Sequence, residues 1–162
     1  MSAKILLVDD DEDMRELLAT SLRAFSYAVE PVMDGSQALA RLRAQPFDLV
    51  ISDINLPGMS GIELCSSISA SWPELPVIMI TGHGSLDVAI SAIRAGAYDF
   101  ITKPIVLDAL HIAVNRAVDN LRLRSEVRRL RDLVQSVDLP SGIVGESQVM
   151  RRVFELTERV AA

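Results

Sequence analysis

Short apolar runs that stop on acids, glycine or proline alternate along this chain with stretches whose apolar residues recur every three or four positions. Lys4-Ile5-Leu6-Leu7-Val8 runs into Asp9-Asp10-Asp11-Glu12-Asp13, and from Met14 the residues Leu17, Leu18, Leu22 and Phe25 recur at helical spacing. Tyr27 to Val32 reads as a second strand, with Asp34-Gly35-Ser36 as turn and cap before Ala38, Leu39 and Leu42. Leu49-Val50-Ile51 leads to Ser52-Asp53 and a loop holding Pro57-Gly58 and Gly61, where a helix begins that Trp72-Pro73 ends. Pro76 to Ile80 is a fourth strand terminating in Thr81-Gly82, and a helix carrying Val88, Ala89, Ile90 and Ile93 closes at Gly96. Asp99-Phe100-Ile101-Thr102 is a fifth, ending in Lys103-Pro104. Strand and helix alternate five times, which predicts an α/β fold: a doubly wound, five-stranded parallel sheet with right-handed crossovers.

The pattern then changes. From Asp108 a helix carries Leu110, Val114, Ala117 and Leu121, and after a phase slip Leu123, Val127, Leu130, Val134 and Val137. Both sets alternate steps of four and three, the heptad signature of a coiled coil. Arg122, Arg124, Arg128, Arg129 and Arg131 flank the seam with Glu126 and Asp132 interleaved, which fits the solvated face of a dimeric coil better than a nucleic-acid-binding helix. Ser136 to Gly145, with Asp138, Pro140, Ser141 and Gly142, reads as a linker.

Composition narrows the class. Hydrophobic residues make up 49% but aromatics only 4%, as suits a core of Val, Ile, Leu and Ala. No apolar run approaches the ~20 residues that cross a bilayer, and the first residues lack a secretory h-region, so a cytoplasmic protein without membrane partners is expected. The one cysteine, Cys65, excludes an internal disulfide and a Cys-based zinc site, and is expected as a small core residue. Residues 1–106 hold 14 acids against 7 bases, a balance that argues against direct nucleic-acid binding by this part.

Strand carboxyl ends lie along one edge of a parallel sheet, the edge where such folds bind ligands. Asp9, Asp10, Asp53, Thr81 and Lys103 should therefore converge if their strands are neighbours. Three carboxylates make a hard oxygen site suited to Mg²⁺, and a hydroxyl with an ammonium opposite is what a transferring phosphoryl group needs. Lys103 is one of two lysines against fourteen arginines, which suggests a task for a compact point charge. Each residue also has a plain reading: Asp53 as a turn cap, Lys103 as a solvated turn residue, Asp11 to Asp13 as helix-capping acids. His83, two residues past Thr81, reads as a solvated loop histidine, and His111, among apolar helix residues without a second ligand, as structural.

Taken together, the Asp9-Asp10 pair, the Asp53-x-x-x-Pro-Gly-x-x-Gly loop, Thr81-Gly82 and Lys103-Pro104 closely resemble the receiver domain of two-component response regulators, over roughly residues 3–120. The resemblance implies a flavodoxin-like sheet of order 2-1-3-4-5, with Asp53 as phosphoacceptor for a sensor histidine kinase. It implies Mg²⁺ held by Asp10, by Asp9 directly or through water, by Asp53 and by the backbone carbonyl of Asn55. Lys103 would pair with the phosphoryl group, with a cis bond to Pro104. Thr81 would bind the new phosphoryl oxygen and Phe100 would turn inward as the switch, whereas Tyr98 is expected as a plain core aromatic. The module is then no enzyme beyond Mg²⁺-dependent self-phosphorylation and autodephosphorylation.

Gly142-Ile143-Val144-Gly145-Glu146-Ser147-x-x-Met150-x-x-Val153 resembles the start of the ATPase domain of sigma-54-dependent activators of the nitrogen-regulation type. No Gly-Lys-Ser or Gly-Lys-Thr occurs, so the P-loop is absent from this sequence. The expected organisation is a receiver over 1–120, a coiled-coil dimerisation linker over 121–139 and the start of a truncated ATPase over 140–162. A homodimer is expected, acting in the full-length protein on an ATPase domain and sigma-54 RNA polymerase. Two rivals remain at this point: a haloacid-dehalogenase-type phosphatase, whose motif would need Thr or Val where this chain has Asp13, and an inactive dimerisation module.

Overall fold

The computed structural model describes residues 2–82 and 86–136. Ten elements alternate in it: β1 (Lys4–Val8), α1 (Glu12–Ala24), β2 (Ala28–Val32), α2 (Gly35–Ala44), β3 (Leu49–Asp53), α3 (Gly61–Ser71), β4 (Val77–Thr81), α4 (Leu86–Arg94), β5 (Asp99–Thr102) and α5 (Leu107–Ser136). The five strands form one parallel sheet in the order β2-β1-β3-β4-β5, the flavodoxin-like order expected from the sequence. The chain divides into two units, Met1–Ser125 and Glu126–Ala162.

Strand side chains alternate between two apolar layers, as period two requires. Ile5, Leu7, Leu49, Ile51, Ile78 and Ile80 pack with Leu18 and Leu22 of α1 and Leu110 and Val114 of α5. Leu6, Val8, Val50, Val77 and Met79 face the other way, onto Ala38 and Leu42 of α2 and Leu64, Cys65 and Ile68 of α3. The three central strands are buried on both faces and therefore read as unbroken apolar runs. Edge strand β2 tolerates Pro31 because a missing N–H costs little at an edge.

Local chemistry sets the boundaries. Asp11 caps α1 by accepting the Met14 N–H at 3.1 Å, and Asp34 caps α2 through the Gln37 N–H at 2.8 Å. Ser60 and Glu63 form a reciprocal capping box at the start of α3. Gly96 closes α4 with φ +93°, where a Cβ would also stand 2.3 Å from the Ser69 hydroxyl. The sequence pattern places β2 one residue early, at Tyr27, and starts β4 at Pro76 where the strand begins at Val77. Leu17 and Phe25, which share the helical spacing of α1, are 54% and 44% exposed. Phe25 serves as the helix C-cap and stacks on His111 at 3.7 Å between ring centroids.

α5 runs unbroken from Leu107 to Ser136. Leu110, Val114 and Ala117 are buried, whereas Leu123, Val127, Leu130 and Val134 are exposed. Ser136, expected as the first linker residue, is instead the last residue of α5; residues 137–162, with the rest of that linker and the ATPase-like stretch, lie outside the described residues, as does His83.

Candidate functional site

The sheet reverses its winding between β1 and β3, since one connection from β1 leads outward to β2 and the remaining strands lie on the other side. A crevice opens at the carboxyl ends of strands at such a reversal. Val8 pairs with Ser52, and Asp53 pairs with Ile80, so Asp9 and Asp53 follow one another across neighbouring strand ends. Thr81 pairs with Thr102, which carries Lys103 to the same edge. Asp9, Asp53 and Thr81 are, with Ser52, the buried polar side chains of the described residues.

Both carboxylate oxygens of Asp53 are engaged. Its Oδ1 accepts the Asn55 N–H at 2.8 Å and its Oδ2 takes an ion pair from the Lys103 ammonium. The loop beyond it is drawn tight: the Gly61 N–H donates to the Ile54 carbonyl at 2.8 Å. A Cβ on Gly61 would stand 2.1 Å from the Asp53 carbonyl oxygen and 2.8 Å from the Ile54 Cα, so the second glycine of the loop motif is a packing requirement.

Lys103 is fixed at its root by its N–H on the Thr81 carbonyl at 2.8 Å, and the bond to Pro104 is cis. Burial works against its ammonium, but the bond to Asp53 and the charges of Asp53, Asp9 and Asp11 outweigh it and hold the pKa above the usual lysine value. Asp9 shows the reverse balance. Burial raises its carboxyl above the ordinary range against the opposing Asp11 N–H and Lys103 charge, and Asp53 and Asp10 add like-charge repulsion. Its Oδ1 accepts the Asp11 N–H at 2.9 Å, while Oδ2 is buried without a partner. Asp10 stands exposed at the lip.

A buried carboxylate oxygen left unpartnered among acids is a group that a cation can satisfy. Among the described residues no group of three or more acid, His or Cys side chains is arranged to hold an ion. The donor set still fits Mg²⁺, which takes one or two carboxylates and completes its shell with water and phosphate oxygens.

Tyr98, His111 and Cys65 are engaged in packing. Tyr98 packs against the core and donates its hydroxyl to the Arg116 carbonyl at 3.2 Å. His111 is stacked on Phe25 with Nε2 beside the Asn115 amide, and Cys65 is a buried core residue whose thiol burial pushes up. Phe100 packs in the α2/α3 layer and lines an open groove of about 410 Å³ along β5 and α5, with Val106 and Ile112. Sequence reasoning passed over Arg15, whose guanidinium donates to the Asp9 carbonyl at 2.7 Å.

A doubly wound parallel sheet with acids and one lysine gathered at its carboxyl edge defines a receiver-type α/β module. Residues 5–115 match the response regulator receiver domain, and the chain belongs to that family. It is 41% identical over 162 residues to the nitrogen assimilation regulatory protein NtrX of Azorhizobium caulinodans, covering 99% of this chain and 35% of that protein. It is 38% identical to the C4-dicarboxylate transport transcriptional regulatory protein DctD of Rhizobium meliloti, covering 97% of this chain and 34% of that protein. Among solved structures, NtrX from Brucella abortus superposes with a TM-score of 0.76 at 40% identity, over 99% of this chain and 35% of that one. The chain thus spans about a third of the length of these relatives.

Proposed function

We propose that this chain is a phosphorylation-dependent receiver module in which Asp53 takes a phosphoryl group from the phosphohistidine of a sensor histidine kinase. The observation that carries it is the contact of buried Asp53 with Lys103 beside the unpartnered Asp9 oxygen. A carboxylate oxygen of Asp53 attacks phosphorus, the P–N bond to the kinase imidazole breaks, and an acyl phosphate forms on Asp53. Lys103 exchanges its carboxylate partner for a phosphoryl oxygen, and the Thr81 hydroxyl binds another. Water later cleaves the P–O bond and restores the carboxylate, so the chemistry is self-phosphorylation and autodephosphorylation rather than turnover of a released substrate. Asp9, Asp10, Asp53 and the Asn55 carbonyl would hold Mg²⁺, which when bound supplies the positive charge that phosphoryl oxygens need. Incubation with Mg²⁺ and acetyl phosphate should add one phosphoryl mass to the native chain and none to Asp53→Asn; a native chain that gains no mass would leave an inert dimerisation module. Neither that module nor the phosphatase draws support from the family or the cleft.

The output side of the proposal rests on exposed apolar surface. Phosphoryl binding draws Thr81 inward and Phe100 follows, which reshapes the groove along β5 and α5. The exposed stripe Leu123, Val127, Leu130 and Val134 has the spacing of a coiled-coil seam, so a homodimer is the expected assembly. In a full-length cytoplasmic regulator the phosphorylated dimer would govern an ATPase domain that acts on sigma-54 RNA polymerase. Sedimentation with and without a phosphoryl mimic tests the assembly, and a monomer under both conditions defeats it.

A further inference from the structure

The turn from β1 into α1 holds Asp9 unusually completely. Its N–H donates to the Val32 carbonyl at 3.2 Å, its Oδ1 accepts the Asp11 N–H at 2.9 Å, and its carbonyl accepts Arg15 Nη1 at 2.7 Å. Only Oδ2 is left, buried and facing no partner. The Asp9 carbonyl belongs to the peptide joining Asp9 to Asp10, so the guanidinium that grips it orients both acids at once. Arg15 itself sits in the first turns of α1, its backbone N–H on the Asp11 carbonyl at 2.9 Å. The helix is in turn capped by Asp11. A planar guanidinium on a half-buried stem fixes a carbonyl more firmly than a flexible amine can.

We propose that Arg15 is a positioning residue for the divalent-cation site, holding the Asp9–Asp10 peptide so that Asp9 Oδ2 and the Asp10 carboxylate meet one ion. The inference rests on the Mg²⁺ reading of the cleft. Charge and positioning predict opposite signs, which makes it testable. A guanidinium near the cleft repels a dication, so on charge alone its removal tightens Mg²⁺ binding. Loss of a group that orients ligands weakens metal affinity by roughly 10-fold or more.

The experiment is calorimetric titration of MgCl₂ into the whole chain, native and with Arg15→Gln or Arg15→Lys, each melted beforehand to establish that it is folded at the titration temperature. The expected result is Mg²⁺ binding weakened about 10-fold in Arg15→Gln and partly recovered in Arg15→Lys, which keeps a donor within reach of the carbonyl. Should Arg15→Gln fail to fold, Arg15→Lys carries the test, with binding weaker than native as the expected result. Affinity equal to or tighter than native in the folded variants overturns the positioning role and leaves the phosphoacceptor reading intact. A native chain that binds no Mg²⁺ overturns both.

Discussion

Replacing Asp9 by Asn should stabilise the fold when no divalent cation is present. The carboxylate is fully buried, its Oδ2 has no partner, and Asp53 and Asp10 repel it while only Lys103 attracts it. A buried polar atom left unsatisfied costs about 1–3 kcal/mol. An amide removes the charge and puts a donor beside Asp53, so the expected gain is of that size. For a folded unit of this length, ~1 kcal/mol moves Tm by roughly 4 °C, which gives a rise of about 4–12 °C in EDTA. Asp9 has a folded pKa above its unfolded value near 3.8, so its penalty is absent below that pH and grows as pH rises through the folded pKa. The gap between variant and native protein should therefore shrink as pH falls toward the unfolded value. Saturating Mg²⁺ should also narrow it, because the ion stabilises the native chain through binding that the variant has weakened. Urea or thermal melts of both proteins, with EDTA and with Mg²⁺, measure all three effects. A variant less stable than native in EDTA at neutral pH would refute the account of Asp9 as an acid held in place for a cation.

Lys103→Met strands the buried Asp53 carboxylate and should cost about 1–3 kcal/mol in denaturant melts, a range that allows for the partial exposure of the lysine. Adding Asp53→Asn should recover most of it, and additive losses in that double-mutant cycle would contradict the pairing. Gly61→Ala forces backbone against backbone at the Asp53 carbonyl, so it should lower stability by about 2 kcal/mol or more and slow phosphoryl uptake from acetyl phosphate. Native rates and melting in that variant would show that the loop gives way freely.

Periodicity and strand-end chemistry made most of the receiver legible. Two-sided burial of β1, β3 and β4 produces apolar runs too short for helices, and the acids that stop β1 and β3, with Thr81 ending β4 and Lys103 following β5, mark the cleft edge. What periodicity hides is which of two neighbours turns inward. Leu17 and Leu18 both fit the helix, yet Leu18 with Leu22 faces the sheet and Leu17 faces solvent. The Asp9-Asp10 pair reads as a unit, but Asp9 is buried and Asp10 is exposed, a difference that residue type and spacing do not carry. Arg15 escaped notice because a side chain that serves a backbone carbonyl needs no partner residue of a given type and leaves no motif. The exposed stripe of α5 was legible for the same reason as the core: its spacing is helical throughout, and only its exposure distinguishes it from the buried stretch of the same helix.

The central claim is that Asp53 becomes an acyl phosphate. Borohydride reduces an acyl phosphate to an alcohol, which would convert Asp53 to homoserine in a chain treated with Mg²⁺ and acetyl phosphate. Fragment mass spectrometry of the reduced protein should find homoserine at position 53 and aspartate at Asp9 and Asp10. Homoserine at either of those positions, or at none, would contradict the account.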